Sequence, residues 1–183
     1  MTRRRRALLL IAAFALGGCA APRPPAPAGP AESVWSGRFA VRWLRPGDPP
    51  AEESAAGRFT LRETDGVRGL EVYSPLGQTL ARATDGHGRA TLETATGARF
   101  EADSPEALTE QALGWRAPVS RLPDWLRTRA PPDGAPQRFL DAGWEVLVDA
   151  WADGRPQRLT LRWPATAFDD AWRRVAIRLV LDP

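Results

Sequence analysis

Several segments of this chain alternate apolar and polar side chains with a period of two, and this pattern restricts the fold more than any other feature. Phe39, Val41 and Trp43 fall on one face of such a segment, and the residues between them fall on the other. A period of two is the signature of a half-buried β-strand. We therefore predict strands over residues 38–43, 58–62, 70–73, 89–94, 98–102, 144–151, 157–163 and 175–181.

Two short helical segments interrupt the predicted strands. Ser104-Pro105-Glu106 combines an N-cap residue, a proline in the first turn and a carboxylate near the positive end of the helix dipole, and Gly114 marks the end of this helix. Leu122, Trp125 and Leu126 have helical spacing in a second stretch. Strands followed by helices and again by strands indicate an antiparallel sheet with helices on one face, which is an α+β fold.

Turn signals separate the strands, and one turn carries an apolar residue at its tip. Pairs such as Asp65-Gly66 and Asp85-Gly86 are typical of tight turns, and we interpret residues 46–56 as a long hairpin loop. Leu76, in Ser74-Pro75-Leu76-Gly77, is unusual because turn tips lie in water and are normally polar. Two interpretations stay open: the leucine folds back onto the core, or it is a hydrophobic finger that touches a membrane or a ligand.

The N-terminal residues have the order of a secretory signal. Arg3 to Arg6 precede an apolar run from Ala7 to Leu16, as in a signal peptide, and the run is too short to span a bilayer. It ends in Leu16-Gly17-Gly18-Cys19, which resembles the lipobox of bacterial lipoproteins and implies cleavage before Cys19 and lipidation of its thiol. We expect a signal peptide over residues 1–18, the lipidated cysteine with a Pro/Ala-rich linker over 19–33, and a folded domain over 34–183.

The residue after the cysteine and the charge of the mature chain bear on location and partners. In lipoproteins of this type an aspartate in that position retains the protein at the inner membrane, so Ala20 predicts a lipid-anchored, periplasm-facing protein of the outer membrane. Without Arg3 to Arg6, the chain carries 21 basic and 22 acidic residues. This near balance gives no argument for nucleic-acid binding, which needs a basic patch or stripe.

The side chains that carry common catalytic and metal chemistry are sparse. His87 is the only histidine, lies in a predicted turn and has no cysteine partner, because Cys19 is the only cysteine. Metal sites and nucleophilic triads need several such groups together. We therefore predict no enzyme activity, no metal and no cofactor.

Tryptophan is abundant, with eight residues in the chain. The simplest interpretation is core packing. Two others stay open: a row of exposed rings that binds carbohydrate, or an apolar cavity between sheet and helices that holds a greasy ligand.

These motifs together resemble the LolB family of outer-membrane lipoprotein receptors. The resemblance starts at Trp35 and Gly37-Arg38-Phe39-Ala40-Val41, continues through Leu70-Glu71-Val72-Tyr73-Ser74-Pro75-Leu76-Gly77, and includes Trp125-Leu126 and Gly143-Trp144-Glu145-Val146. It implies an unclosed antiparallel β-barrel, shaped like a half-pipe, with short helices covering its apolar interior.

The resemblance also implies an activity and its residues. The protein would accept acylated lipoproteins from LolA, a soluble periplasmic carrier, and insert them into the outer membrane as a monomer, with Leu76 as the membrane-inserting residue. The alternative is a binding or scaffolding lipoprotein for glycolipid, glycan or an assembly complex. The residues expected to line the lipid cavity are Phe39, Val41, Phe59, Leu61, Leu70, Val72, Leu92, Phe100, Leu108, Leu122, Trp125, Leu126, Trp144, Val146, Leu159, Leu161 and Ile177.

Overall fold

A computed structural model describes residues 32–45, 48–163 and 174–183, which form one antiparallel sheet of ten strands. The spatial order is β6-β5-β4-β3-β2-β1-β10-β9-β8-β7. The two edge strands, β6 and β7, do not pair with each other within these ranges, so the predicted unclosed α+β half-barrel is confirmed. The strands are β1 Glu32–Arg45, β2 Ala51–Thr64, β3 Val67–Tyr73, β4 Thr79–Gly86, β5 Arg89–Thr94, β6 Arg99–Ala102, β7 Gln137–Asp141, β8 Trp144–Ala152, β9 Arg155–Trp163 and β10 Val175–Leu181.

The helical segments lie between β6 and β7 in the chain and begin and end at the residues that the sequence indicates. Helix α1 spans Pro105–Leu113, and the Ser104 hydroxyl caps it by accepting a hydrogen bond from the Ala107 amide (3.2 Å). It ends at Gly114, whose φ of 79° suits a residue without Cβ. A single 3-10 turn, Val119–Arg121, leads into α2, Leu122–Leu126. Both predicted helices are confirmed.

Strand β1 is the central strand of the sheet because the two ends of the domain meet there. It pairs with β2 along its whole length and with β10 from Gly37↔Leu181 to Trp43↔Val175. Phe39 and Val41 stand opposite Leu179 and Ile177, so the apolar positions of the two strands fall on the same inner face. Among the described residues, no helix is long and apolar enough to cross a membrane.

Two sequence predictions about turns are wrong. Strand β2 starts at Ala51, because the backbone ladder with β1 continues as far as Arg45↔Ala51 through a run of acids and alanines that has no apolar alternation. Asp85 and Gly86 belong to β4, and the turn after them is His87-Gly88, with φ values of 56° and 76°.

Several predictions fall on residues outside the described ranges. The signal peptide, Cys19 and most of the linker lie there, as does Trp172.

Candidate functional site

The inner face of the sheet has a packed half and a hollow half. In the packed half, α2 belongs to one buried cluster with β8, β9 and β10, in which side chains such as Val146, Val148 and Leu159 are fully buried. In the other half, α1 packs on β4, β5 and β6, and a space remains between helix and sheet. The difference lies in side-chain size: the inner face of β4 carries Ala81 and Ala83, where β8 and β9 carry valine and leucine.

This space is an apolar cavity of about 490 Å³, which is a usual size for a ligand site (about 300–1,000 Å³). Within the described ranges its lining includes no charged side chain. The hydroxyl of Thr109 is occupied, since it accepts from the Ala117 amide (2.8 Å) and donates to the Glu106 carbonyl (3.0 Å). The hydroxyl of Thr94 also bonds locally, accepting from the Ala98 amide (3.1 Å). The indole N–H of Trp115 is buried without a hydrogen-bond partner among the described residues, but the rest of the lining suits a ligand without polar groups.

The structure places most of the sequence-predicted lining residues on the wall of this cavity. They come from seven strands, β1, β2, β3, β5, β6, β9 and β10, and from α1 and α2, which the open sheet brings around one space. The residues concerned are Phe39, Val41, Phe59, Leu70, Val72, Leu92, Phe100, Leu108, Leu122, Leu161 and Ile177.

The other predicted residues lie in the packed half and do not line the cavity. They are large side chains of α2 and of the strands, and they are buried together in the hydrophobic core. Their alternation pattern is the same as that of the cavity wall, because both halves use one inner face. The residues concerned are Leu61, Trp125, Leu126, Trp144, Val146 and Leu159.

Further residues line the cavity that the sequence did not predict. Ala81 and Ala83 do alternate with Arg82 and Thr84, but small side chains give a weak apolar signal. Trp43 and Trp115 line the cavity with their ring centroids 6.3 Å apart. The remaining missed residues are Ala55, Leu80, Thr94, Pro105, Thr109, Ala112, Leu113, Ala117, Pro118, Val119 and Leu179.

The segment from α1 to α2, residues 105–126, forms a helical cover over the inner face of the sheet. A polar network joins this helical cover to the sheet at one end of the cavity. Arg68 on β3 pairs with Asp85 (2.5 Å) and donates to the Ser120 carbonyl (2.6 Å). Glu106 in the first turn of α1 accepts from the Ser120 amide (2.9 Å) and hydroxyl (2.6 Å). These bonds join β3, β4, α1 and the 3-10 turn near the start of α1.

A second polar contact ties the α2 region to β7. Asp141 accepts from the indole N–H of Trp125 (2.7 Å) and from the Arg121 guanidinium (2.7 Å). Two hydrogen bonds lower the pKa of Asp141 from its usual value of 3.8, and the bond from Trp125 has a larger effect than the bond from Arg121.

The β3–β4 turn holds Leu76 out in water. The side chain of Leu76 is 90% exposed. The turn is closed beneath it by the Ser74 amide, which donates to the Gln78 carbonyl (2.8 Å), and by the Gly77 amide, which donates to the Ser74 carbonyl (2.9 Å). Gly77 has a φ of 85°, which favours glycine. Of the two interpretations of this leucine, the structure agrees with the protruding one.

Among the residues that the structure describes, neither His87 nor the carboxylates form a concentrated site. His87 is exposed at the tip of the β4–β5 turn. Over the described ranges, no group of three or more His, Cys, Asp or Glu side chains lies close enough together to hold a metal ion.

The fold and the cavity together define the class: an unclosed antiparallel half-barrel with a helical cover over an apolar interior. The chain belongs to the LolB family, since a family model described as "Outer membrane lipoprotein LolB" matches residues 34–183.

Curated relatives agree with this family over most of their length. A Bordetella petrii protein is 36% identical over 179 residues, covering 91% of this chain and 86% of the relative. A Bordetella pertussis protein is 35% identical, covering 95% and 89%. A Cupriavidus metallidurans protein is 34% identical, covering 98% and 96%. All three are named "Outer-membrane lipoprotein LolB".

Proposed function

We propose that this protein is an outer-membrane lipoprotein receptor. It accepts acylated lipoproteins from a soluble, LolA-like periplasmic carrier and releases them into the outer membrane by transfer of their acyl chains. The observation that carries the proposal is the apolar cavity of about 490 Å³ beneath α1. Membership of the LolB family supports it. In this account the protein makes and breaks no covalent bond.

The energetics of lipoprotein transport require such a cavity. A triacylated cysteine carries on the order of forty methylene groups, and exposing them to water costs roughly 30 kcal/mol at about 0.8 kcal/mol each. Diffusion through the periplasm without a carrier is therefore negligible. An interior lined almost entirely by carbon, with the hydroxyls of Thr94 and Thr109 already bonded, lets an acyl chain pass from one apolar environment to another.

The protein itself is held at the membrane by lipid in this proposal. The thiol of Cys19 carries the lipid, and cleavage before it makes the cysteine the new N-terminus. Two or more acyl chains give a stable anchor where one gives a marginal one. Residues 19–33 form the linker, and a proline-rich segment extends by roughly 3 Å per residue, so the domain reaches into the periplasm from the outer membrane.

Leu76 is the residue that contacts the bilayer during release. Burying one leucine yields about 1.5–3 kcal/mol, which is sufficient for transient insertion and too little for anchoring. The closed turn beneath Leu76 presents the side chain without a conformational change.

Leu76→Glu tests this function by separating acceptance from delivery. A glutamate at the tip is expected to leave the cavity intact and to prevent insertion, because burying a charge in lipid is costly. We expect the variant to take acylated lipoprotein from the carrier at the wild-type level. Its delivery to outer-membrane vesicles should be at least tenfold slower, which corresponds to an activation free energy higher by roughly 1.4 kcal/mol or more. Both steps are measured by co-fractionation of radiolabelled lipoprotein.

Leu140→Glu is the matched control. Leu140 is 68% exposed and does not line the cavity, so its substitution should change neither step. Normal delivery by Leu76→Glu would contradict the role of the turn, and failure of the wild-type protein to accept acylated lipoprotein would contradict the receptor function itself.

A further inference from the structure

Part of the lining of the cavity is exposed to solvent. Most lining residues are buried or half-buried, but four are exposed. Leu80 on β4 is 43% exposed and Leu113 at the end of α1 is 49% exposed. The exposed lining residues are Ala55, Leu80, Ala112 and Leu113.

Leu80 lies beside the turn that carries Leu76. Tyr73 and Thr79 pair at the two ends of that turn, and Leu80 is the next residue of β4. The Leu80 carbonyl accepts a hydrogen bond from the Ala95 amide in the neighbouring β5–β6 turn (2.8 Å). Leu80 therefore belongs to the end of the sheet at which Leu76 protrudes.

Leu113, the last residue of α1, lies at the same end of the sheet as Leu80 and the Leu76 turn. Trp115, two residues further on, contacts Trp43 with ring centroids 6.3 Å apart. Trp43 pairs with Glu53, in the part of the β1–β2 ribbon that extends past the last β2–β3 pair, Arg58↔Tyr73. The C-terminal end of α1 thus lies near the Leu76 end, with the mouth of the cavity between α1 and β4.

The polar fastening of α1 is one-sided, while at the C-terminal end an apolar contact, that of Trp115 with Trp43, joins the cover to β1. The bonds between Glu106 and Ser120, and the Arg68 bonds that secure Ser120 to β3, hold the cover near the start of the helix. At the other end, the Glu110–Arg116 ion pair is internal to the cover and joins nothing to the sheet (2.9 Å). The cover can separate from β4 at its C-terminal end without breaking the network at its N-terminal end.

We propose that Leu80 and Leu113 form the portal through which acyl chains enter and leave the cavity, on the side of the molecule that Leu76 presents to the bilayer. The inference rests on the proposed function, because it assigns the route of the same ligand. The occupant is an acyl chain, because both leucines also line the cavity and a chain leaving between them stays in contact with apolar side chains until it reaches lipid.

A portal and a wall respond differently to a polar substitution. A polar group in the portal raises the barrier for passage in both directions and leaves the stability of the bound state nearly unchanged. A polar group in the wall weakens the bound state, because the ligand remains beside an unsatisfied amide. Rate constants and affinity therefore distinguish the two roles.

The experiment uses the full-length lipidated protein and a fluorescent palmitoyl probe. Loading of the probe, its release to vesicles of phosphatidylethanolamine and phosphatidylglycerol, and its equilibrium Kd are measured for Leu80→Gln, Leu113→Gln and the double variant. In the double variant we expect the loading and release rate constants both to fall about tenfold, and Kd to change by less than about threefold.

Two controls accompany these variants. Leu140→Gln changes a leucine that is more exposed than Leu80 and Leu113 and does not line the cavity, and the Leu80→Met/Leu113→Met double variant keeps an apolar rim; both should exchange the probe at the wild-type rate. Wild-type rates in the glutamine double variant, or a weakened Kd with unchanged loading, would overturn the portal while leaving the receptor function standing. Absence of probe binding by the wild-type protein would overturn both.

Discussion

Gly57 shows how a single residue shapes the wall of the cavity. It stands opposite Phe39 in the β1–β2 ladder. A Cβ at this position would lie 2.2 Å from the Tyr73 carbonyl oxygen and 3.0 Å from the Phe39 ring. The glycine therefore lets β3 and a lining ring approach the β2 backbone, and its role is steric.

Gly57→Ala is expected to lower the free energy of unfolding by about 1–3 kcal/mol, because backbone and ring must both shift to admit the methyl group. Urea unfolding followed by tryptophan fluorescence measures the change. Gly69→Ala on β3 is the control: a Cβ there meets no atom within 4 Å, so the substitution should be neutral or slightly stabilising. Equal effects of the two substitutions would contradict the steric account.

Individual residues also show what a sequence can and cannot predict. An apolar tip at Leu76 is visible in the sequence, but whether it protrudes depends on the hydrogen bonds that close its turn. Ala81 and Ala83 are ordinary strand residues by pattern, and their importance comes from the space that they leave. That space depends on where α1 packs, which is a tertiary property.

At the scale of elements, Asp141 joins the α2 region to the edge strand β7 through Trp125 and Arg121. Its pKa is lowered in the folded protein from the usual value of 3.8. A lowered pKa means that the carboxylate contributes stability above the unfolded-state pKa, and that this contribution disappears as the pH falls through the folded-state value.

Asp141→Asn should therefore destabilise the protein in a pH-dependent way. The amide keeps an acceptor for Trp125 but loses the charge that Arg121 pairs with, at a cost of about 1 kcal/mol near neutral pH. The wild-type minus variant difference in unfolding free energy, from urea titrations, should be present at about pH 6 and should shrink steadily as the pH is lowered below the unfolded-state pKa. Other carboxylates cancel in this difference, and a difference that does not depend on pH would contradict the assignment.

The elements differ in how well the sequence predicts them. Helix α1 follows from Ser104 and Gly114 because capping is local chemistry. Strands β4 and β7 were not predicted. Strand β4 has alanines on its inner face, which give a weak apolar alternation. Strand β7 is a short edge strand in which Phe139 is half-buried and Leu140 exposed. Residues 51–56 become strand only because β1 pairs with them.

At the scale of the whole molecule, one inner face serves two purposes. The packed half under α2 holds the fold together with fully buried residues such as Val146 and Leu159. The hollow half under α1 leaves an apolar cavity where small residues replace large ones. Alternation alone predicts the common inner face, which is why the predicted lining included residues of both halves.

The hollow half is also the half with the lighter cover. Helix α1 is nine residues long, and only Pro105 and Leu108 in it are buried. Few buried contacts make local opening inexpensive. Stability and ligand exchange are therefore assigned to different parts of the same sheet, and a ligand can enter without disturbing the packed half.

The most direct test of the account asks whether an acyl chain occupies the cavity. The photoreactive amino acid p-benzoylphenylalanine is placed at Phe100, which lines the cavity, and in a second variant at Arg99, the preceding residue, which is exposed. After illumination with an acylated lipopeptide, mass spectrometry should find the acyl chain attached at position 100 and not at position 99. Attachment at position 99 alone, or equally at both positions, would contradict the claim that an acyl chain occupies the cavity.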